Sequence, residues 1–261
     1  MSNPYAEDNF SSTGFNSLKE STFPVQGISH TSPVIWQLNY GFPLNNKYNR
    51  LGKRIIDITI SMLLIPLVLS WLVPLLAIII KLDSRGPVFF LQKRNGDGGK
   101  LFTCIKFRTM VVNEEADLLA ARHNDIRVTG FGKFLRHYHI DELPQLFNVL
   151  IGDMSLIGPR PYMVNENLYY ENLLEQYALR HTVKPGITGL AQSYGYFGSL
   201  HDLDHLKERV SLDMQYIRNW TIGMDIKIIF RTCMMVIGIE PTDEPIKQLE
   251  RNKNFYNLEK Y

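Results

Sequence analysis

The chain has 261 residues, 45% hydrophobic and 21% charged, with a formal net charge of +2. That is enough for one or two domains with a sizeable core, and a pI near 8.4 gives no ground for nucleic-acid binding. No helix-turn-helix, zinc-finger or RNA-recognition pattern occurs. Cys104 and Cys233 lie too far apart, without a CxxC partner, for a disulfide framework or structural zinc; reduced thiols in a cytoplasmic setting are the expectation.

Residues 1–48 are rich in Ser, Asn, Thr, Gly and Pro and show no sustained hydrophobic period. They read as a disordered polar tail with a short ordered stretch near VIWQLNYGF, and no signal peptide is expected ahead of the first apolar run. That run is KRIIDITISMLLIPLVLSWLVPLLAIIIKLDS. From Ile58 to Ile80 there are 23 residues without a charge, and a bilayer needs about 20. Membrane insertion over 49–84 follows, but insertion need not mean crossing. Lys47, Arg50, Lys53 and Arg54 precede the run, and Lys81, Arg85, Lys93 and Arg94 follow it. A spanning helix would leave one basic flank on the wrong side. Pro66 and Pro74 favour kinks, with Ser61 or Ser70 available to bond freed backbone. A bent, re-entrant helix and a kinked spanning helix both remain open on these residues.

Next, GPVFFLQKRNGDGGKLFTCIKFRTM places two β-prone runs around Asn95-Gly96 and Asp97-Gly98, the pattern of a β-hairpin. NEEADLLAARH is helical by composition. RVTGFGKFLRHYHIDELPQLFNVLIGD reads as a loop and one or two helices. NENLYYENLLEQYALRH predicts a helix, KPGITGLAQSYGYFG a glycine-rich loop, and a further helix runs from about Leu203 to Asn219. The last apolar segment, TIGMDIKIIFRTCMMVIGI, carries three charges and fits an amphipathic interfacial helix or a core-facing one.

Chemistry centres on HIDELPQLFNVLIGDMSLIGPRP. Asp141 and Glu142 by themselves suit a helix start, since acids favour its positive end and Pro144 an early position. The surrounding charges suggest more. Lys106, Arg108, Lys133, Arg136 and Arg160, with Gly130, Gly132, Gly158 and Gly186, supply the forked donors and bare amides that a diphosphate needs. A carboxylate among such cations can bind a metal, act as a base or attack phosphorus. Asp at its ordinary pKa of about 3.9 is ionised at neutral pH and needs no base. Mg²⁺ and arginines relieve its repulsion from phosphate, with Glu142 as the hard-oxygen ligand.

The motifs KRIIDI, KLDSRGPVFFLQKR, KFRTM, HIDELPQLFNVLIGDMSLIGPRP, VKPGITGLAQ and YIRNWTIGMDIKIIFRT, over about residues 50–238, resemble the bacterial sugar transferase family, the monotopic phosphoglycosyl transferases. The resemblance implies an α+β fold: a mainly helical cytoplasmic catalytic domain with a β-hairpin, over 85–238, and a tail at 239–261. It implies a re-entrant membrane helix at 49–84 and interfacial helices at the inner membrane. It implies transfer of a hexose 1-phosphate from a UDP-sugar to undecaprenyl phosphate with release of UMP, initiating exopolysaccharide or glycan assembly. Asp141 then matches the nucleophile that carries the phosphosugar, and Glu142 the ligand of Mg²⁺. Lys106, Arg108, Arg136, Arg160 and Asp225 are the substrate-binding candidates. Ser70-Trp71 departs from the family's Ser-Pro bend, AQSYGYFG departs from AQVNG, and a polar tail stands where larger members carry membrane helices. The stretch from Pro159 to Gly189 looks like that of members using UDP-glucose or UDP-galactose. A membrane-anchored scaffold without catalysis, and a transition-metal site of His137, His139 and Glu142, are the alternatives. The sugar is open, and so is any homodimer.

Overall fold

The computed structural model describes residues 41–239 other than 117, 118, 120, 122, 123, 175, 197–202 and 237. The expected tails, and nearly all of VIWQLNYGF, lie outside the described residues. A 3-10 turn at Pro43–Asn45 leads into a helix whose cap is Asn46, its side chain accepting the Tyr48 N–H at 2.8 Å. The helix therefore starts at Lys47, slightly ahead of the expected boundary at 49.

Helical backbone then continues for 37 residues to Asp83, long and apolar enough to cross a membrane. It comprises α1 (Lys47–Leu64), a π-helical turn (Ile65–Leu69) and α2 (Ser70–Asp83). The wide turn falls where Pro66 has no N–H to donate. The Ser70 hydroxyl donates to the Pro66 carbonyl at 2.6 Å and the Trp71 indole to that of Leu67 at 3.0 Å. Ser61 plays no such part: its hydroxyl is buried without a hydrogen bond. Pro74 lies inside α2, so the irregularity sits at Pro66 instead.

One stripe of this long helix is buried, from Lys53, Asp57 and Ser61 to Leu69, Leu76 and Ile80. Its first part is polar and bonded to later elements. Lys53 reaches Asp225 at 2.7 Å, Asp57 accepts from the Ser155 hydroxyl and the Leu156 N–H, and Arg54 donates to the carbonyls of Val149 and Leu150. The opposite face presents Met62, Leu63, Leu67, Trp71, Leu75, Ile78 and Leu82 to the surroundings.

The hairpin forms as expected. Strands β1 (Phe89–Asn95) and β2 (Leu101–Phe107) pair antiparallel, Phe89 opposite Phe107 and Asn95 opposite Leu101. The connection passes Gly98 and Gly99 at φ 68° and 69°, left-handed conformations that favour glycine. Of NEEADLLAARH, expected to be helical, the described residues make a turn at 114–116 with the Leu119 N–H donating to the Glu115 carbonyl at 2.9 Å, and 117, 118, 120, 122 and 123 lie outside the described residues. Side chains tie its start, Asn113 donating to the Val111 carbonyl and Glu115 facing Arg127.

Two helices follow, α3 (Gly130–His137) and α4 (Gln145–Ile151), joined through a 3-10 turn at Ile140–Glu142. Thr129 caps α3 by accepting from Gly132 N–H at 3.0 Å, and Gly152 at φ 109° ends α4. Strand β3 (Ser155–Ile157) pairs parallel with β4 (Gly186–Thr188), Ser155 opposite Gly186 and Ile157 opposite Thr188. Between them lie α5 (Val164–Leu173) and a 3-10 segment at Tyr177–Thr182. The single helix expected there breaks at Leu174, which is extended. The chain ends with α6 (Leu190–Ser193), α7 (Leu203–Asn219) and α8 (Ile222–Val236).

The main core gathers Val149, Met154, Tyr177, Leu212, Tyr216 and Ile217, while Leu76, Ile80, Phe107 and Leu135 join α2, β2 and α3. Helix α8 turns Asp225 and Ile228 inward and leaves Ile222, Ile226 and Phe230 exposed. Apolar Ile222, Ile226 and Phe230 thus share the outer side of α8 with Lys227. The β3–β4 pair depends on a bare backbone. A Cβ at Gly186 would meet the Gly158 nitrogen at 2.1 Å and the Thr188 oxygen at 2.3 Å. Gly186→Ala is expected to cost about 3 kcal/mol, read as a lowered midpoint of thermal unfolding.

Candidate active site

The turn that carries Asp141 and Glu142 is set by its neighbours. His139 adopts φ 56°, ψ 19°, a left-handed conformation that non-glycine residues seldom take and that functional sites often hold. Pro144, at φ −60°, then leads into α4. That helix is fixed to the hairpin by Asn148, which donates to the Thr103 carbonyl at 2.7 Å and accepts from the Ile105 N–H at 3.0 Å. Lys106, the next residue on β2, reaches Glu142 Oε1 at 2.6 Å.

Arg160 comes from the far side of the cavity. Its Nη2 lies 2.6 Å from Glu142 Oε1 and its Nη1 3.0 Å from Oε2, a two-pronged grip. The Pro159-Arg160-Pro161 segment is itself held through three carbonyls. Pro159 accepts from Gly186 N–H at 3.0 Å, Arg160 from Arg180 at 2.8 Å, and Pro161 from Arg94. Arg136 on α3 is anchored by a 2.7 Å bond from its Nε to Thr109 Oγ1.

The two acids are buried alike, at 8% and 6% exposure, but their bonding differs. Glu142 has both oxygens engaged. Burial would raise its pKa, yet Arg160 and Lys106 outweigh this and hold it well below the usual value. No hydrogen bond holds the Asp141 carboxylate among the described residues. Burial and then the charge of Glu142 push its pKa up to about 6, against the pull of Lys106, Arg136 and Arg160. The ordinary value assumed from sequence is therefore too low. Asp141 still remains mostly ionised at neutral pH.

A cavity of about 440 Å³ opens onto this cluster, within the range of small-molecule sites, and Lys106, Arg136, His139, Asp141, Glu142 and Arg160 line it. Phe90, Gln92, Arg94 and Tyr162 are also in its wall. Motif reading missed them, and the alternating hairpin strand offered the one available signal, for Phe90, Gln92 and Arg94. Two sequence candidates are placed otherwise. Arg108 touches the cavity, but its guanidinium donates to the carbonyls of Ser84, Arg85 and Pro87 and to Ser84 Oγ, closing the end of α2. Asp225 is absent from the cavity wall; Lys53, Tyr216 and Trp220 all bond to its carboxylate in the core. Nor do His137, His139 and Glu142 form a metal cluster: among the described residues no three acid, His or Cys side chains gather to hold an ion.

An unbonded carboxylate beside a clamped one, walled by cations, has the charge and the room to take a small anionic ligand. The chain belongs to the bacterial sugar transferase family, whose sequence model matches residues 48–238. It is 46% identical over 219 residues to a UDP-glucose:undecaprenyl-phosphate glucose-1-phosphate transferase of Klebsiella pneumoniae, covering 84% of this chain and 45% of that one. A transferase of the same name from Caulobacter vibrioides is 43% identical over 77% of this chain and 75% of its own length. A UDP-N-acetylgalactosamine-undecaprenyl-phosphate N-acetylgalactosaminephosphotransferase of Aeromonas hydrophila is 43% identical over 71% and 43%. The chain spans less than half the length of several of the curated relatives it matches.

Proposed function

We propose that the chain is a phosphoglycosyl transferase that moves a sugar 1-phosphate from a UDP-sugar to undecaprenyl phosphate. The observation that carries this is the contrast within the acid pair: Glu142 is locked between Lys106 and Arg160, while Asp141 is ionised, buried and unbonded. In the first step an Asp141 oxygen attacks the sugar-bearing phosphorus. The bond from that phosphorus to the bridging oxygen breaks, and UMP leaves with the electron pair. In the second, an oxygen of undecaprenyl phosphate attacks the same phosphorus and the Asp141 carboxylate departs. Lys106, Arg136 and Arg160 offset the charge of the diphosphate throughout. The relatives' printed names favour glucose, with N-acetylgalactosamine as the second sugar to test.

Mg²⁺ fits this donor set as a hydrated ion, because Asp141 and Glu142 put two adjacent carboxylates in the cavity wall and Glu142 is already held by cations. Asp141 and Glu142 are the residues that would hold it, and it would draw charge off the phosphate oxygens.

Membrane attachment through one leaflet is part of the same reading. The start of the long helix is bonded to α4 through Arg54, and its end is closed by Arg108 after β2. Asn148 and Ile105 link α4 to β2, so both ends are tied to one body, which supports the one-leaflet reading. At about 1.5 Å per residue the 37 residues measure roughly 55 Å, more than a hydrocarbon core of about 30 Å requires. With Cys233 replaced by Ser, cysteines placed at Tyr48 and Leu82 are expected to react with an impermeant thiol reagent only after the inner membrane is opened. Labelling of one of them from outside intact cells would instead establish a spanning helix.

Without lipid, a UDP-sugar is expected to give one equivalent of UMP and an enzyme heavier by one phosphosugar in an intact-mass spectrum. Screening glucose, galactose and N-acetylgalactosamine nucleotides in that format names the sugar. UMP release that always requires lipid, with no adduct after trapping, refutes the two-step route.

A further inference from the structure

We propose that a second cavity, beside the start of α1, binds the phosphate of an anionic lipid headgroup. The space is about 330 Å³ and shares no wall residue with the cavity at Asp141. Arg50, Lys53, Arg54 and Lys184 line it, against two acids, Asp57 and Asp97. Most of these charges already have partners. Lys53 bonds Asp225, Asp57 is held by Ser155 and Leu156, and Asp97 lies 3.6 Å from Arg50.

Lys184 is different. Its ammonium makes no hydrogen bond or ion pair among the described residues. It converges with Arg54 on Gly152, where an added Cβ would meet Arg54 Nη2 at 3.4 Å and Lys184 Nζ at 3.5 Å. Burial, and next the charge of Arg54, lower the Lys184 pKa against the pull of Asp97 and Asp57. Two like charges held together cost free energy, and an anion between them relieves it through charge-assisted hydrogen bonds. Gly152 itself, at φ 109°, takes a conformation that favours glycine.

A lipid is favoured over free phosphate by the rest of the wall. Leu44, Leu51, Ile157 and Val183 are apolar, and Leu51 is 58% exposed on α1, near the outward Ile55. This preference rests on the membrane reading above; the anion site itself does not.

The test uses the full chain in neutral detergent, titrated with short-chain phosphatidylglycerol, phosphatidylcholine or inorganic phosphate, and reads the midpoint of thermal unfolding. Phosphatidylglycerol is expected to raise the midpoint and phosphatidylcholine to leave it unchanged. Lys184→Gln is expected to weaken the phosphatidylglycerol response about tenfold in concentration, and Lys184→Arg to retain it. Lys81→Gln, the same charge change at the exposed far end of the helix, is expected to bind like the parent. Equal binding by Lys184→Gln, or an equal loss in Lys81→Gln, overturns the site. A response to inorganic phosphate that depends on Lys184 and that lipid does not improve overturns the lipid assignment. If Lys184→Gln does not fold, Arg50→Gln at the rim replaces it with the same expectation. The readout needs no UDP-sugar, so it stands or falls apart from the catalytic reading.

Discussion

Asp141→Asn is expected to lose UMP release by at least about a thousandfold while unfolding at a higher temperature than the parent. The loss follows from removing the attacking oxygen, since an amide has no anionic form. The gain follows from the raised pKa. Folding moves the Asp141 carboxyl from its ordinary 3.8 to about 6, so between these values the folded chain binds the proton more tightly than the unfolded one. Stability therefore falls as pH rises through that window. At pH 7 the ionised group costs roughly 2–3 kcal/mol, and asparagine removes the charge at nearly constant volume. Each kcal/mol shifts the midpoint by about 2–4 °C in a chain of this size. The difference between variant and parent should shrink as pH is lowered from 7 towards 4. A gap that does not change with pH would mean that ionisation of Asp141 is not its source. The same pKa predicts that turnover of the parent falls below about pH 6, where the nucleophile takes up a proton.

Strain of this kind is what distinguishes a working carboxylate from a helix-start one. A first-turn acid is exposed and stabilises its helix by about 0.3–1 kcal/mol. Asp141 is 8% exposed and follows a left-handed His139. Its neighbour Glu142 takes both strong partners. Sequence reading places the pair at a helix start, and it does stand just before α4. Burial supplies the distinction, and it depends on Arg160, Lys106 and the α3 wall arriving from elsewhere in the chain.

Several parts of the fold were legible for local reasons. The span Leu203–Asn219 was readable from its helical composition, and the hairpin from two glycine-bearing turn pairs between β-prone runs. The parallel pairing of β3 with β4 was not, because three-residue strands carry no readable period and their register depends on backbone contact between Gly158 and Gly186. Charge type left the direction of two side chains open. Arg108 and Asp225 look like ligand-binding groups by type, but type does not encode direction. Arg108 closes a helix end, and Asp225 meets Lys53, 172 residues away.

Glu142→Gln is expected to give the opposite stability result, and with it a separation of roles. Glu142 is the anion that Lys106 and Arg160 both bond, and its depressed pKa means that its stabilising effect is present above the unfolded value and lost as pH falls. Removing it leaves two buried cations sharing a neutral amide, at a cost of about 3–5 kcal/mol. The midpoint of thermal unfolding should fall by several degrees at pH 7. The charge of Glu142 also helps to raise the pKa of Asp141, so the acid limb of any remaining activity should move below pH 6. Purely structural damage would lower stability and rate without moving that limb. A variant pair in which Asp141→Asn stabilises, Glu142→Gln destabilises, and only the second retains a displaced pH profile assigns attack to one acid and the holding of the cations to the other. If both variants lose stability alike, the two carboxylates share one structural task, and the division of labour drawn from their bonding is wrong.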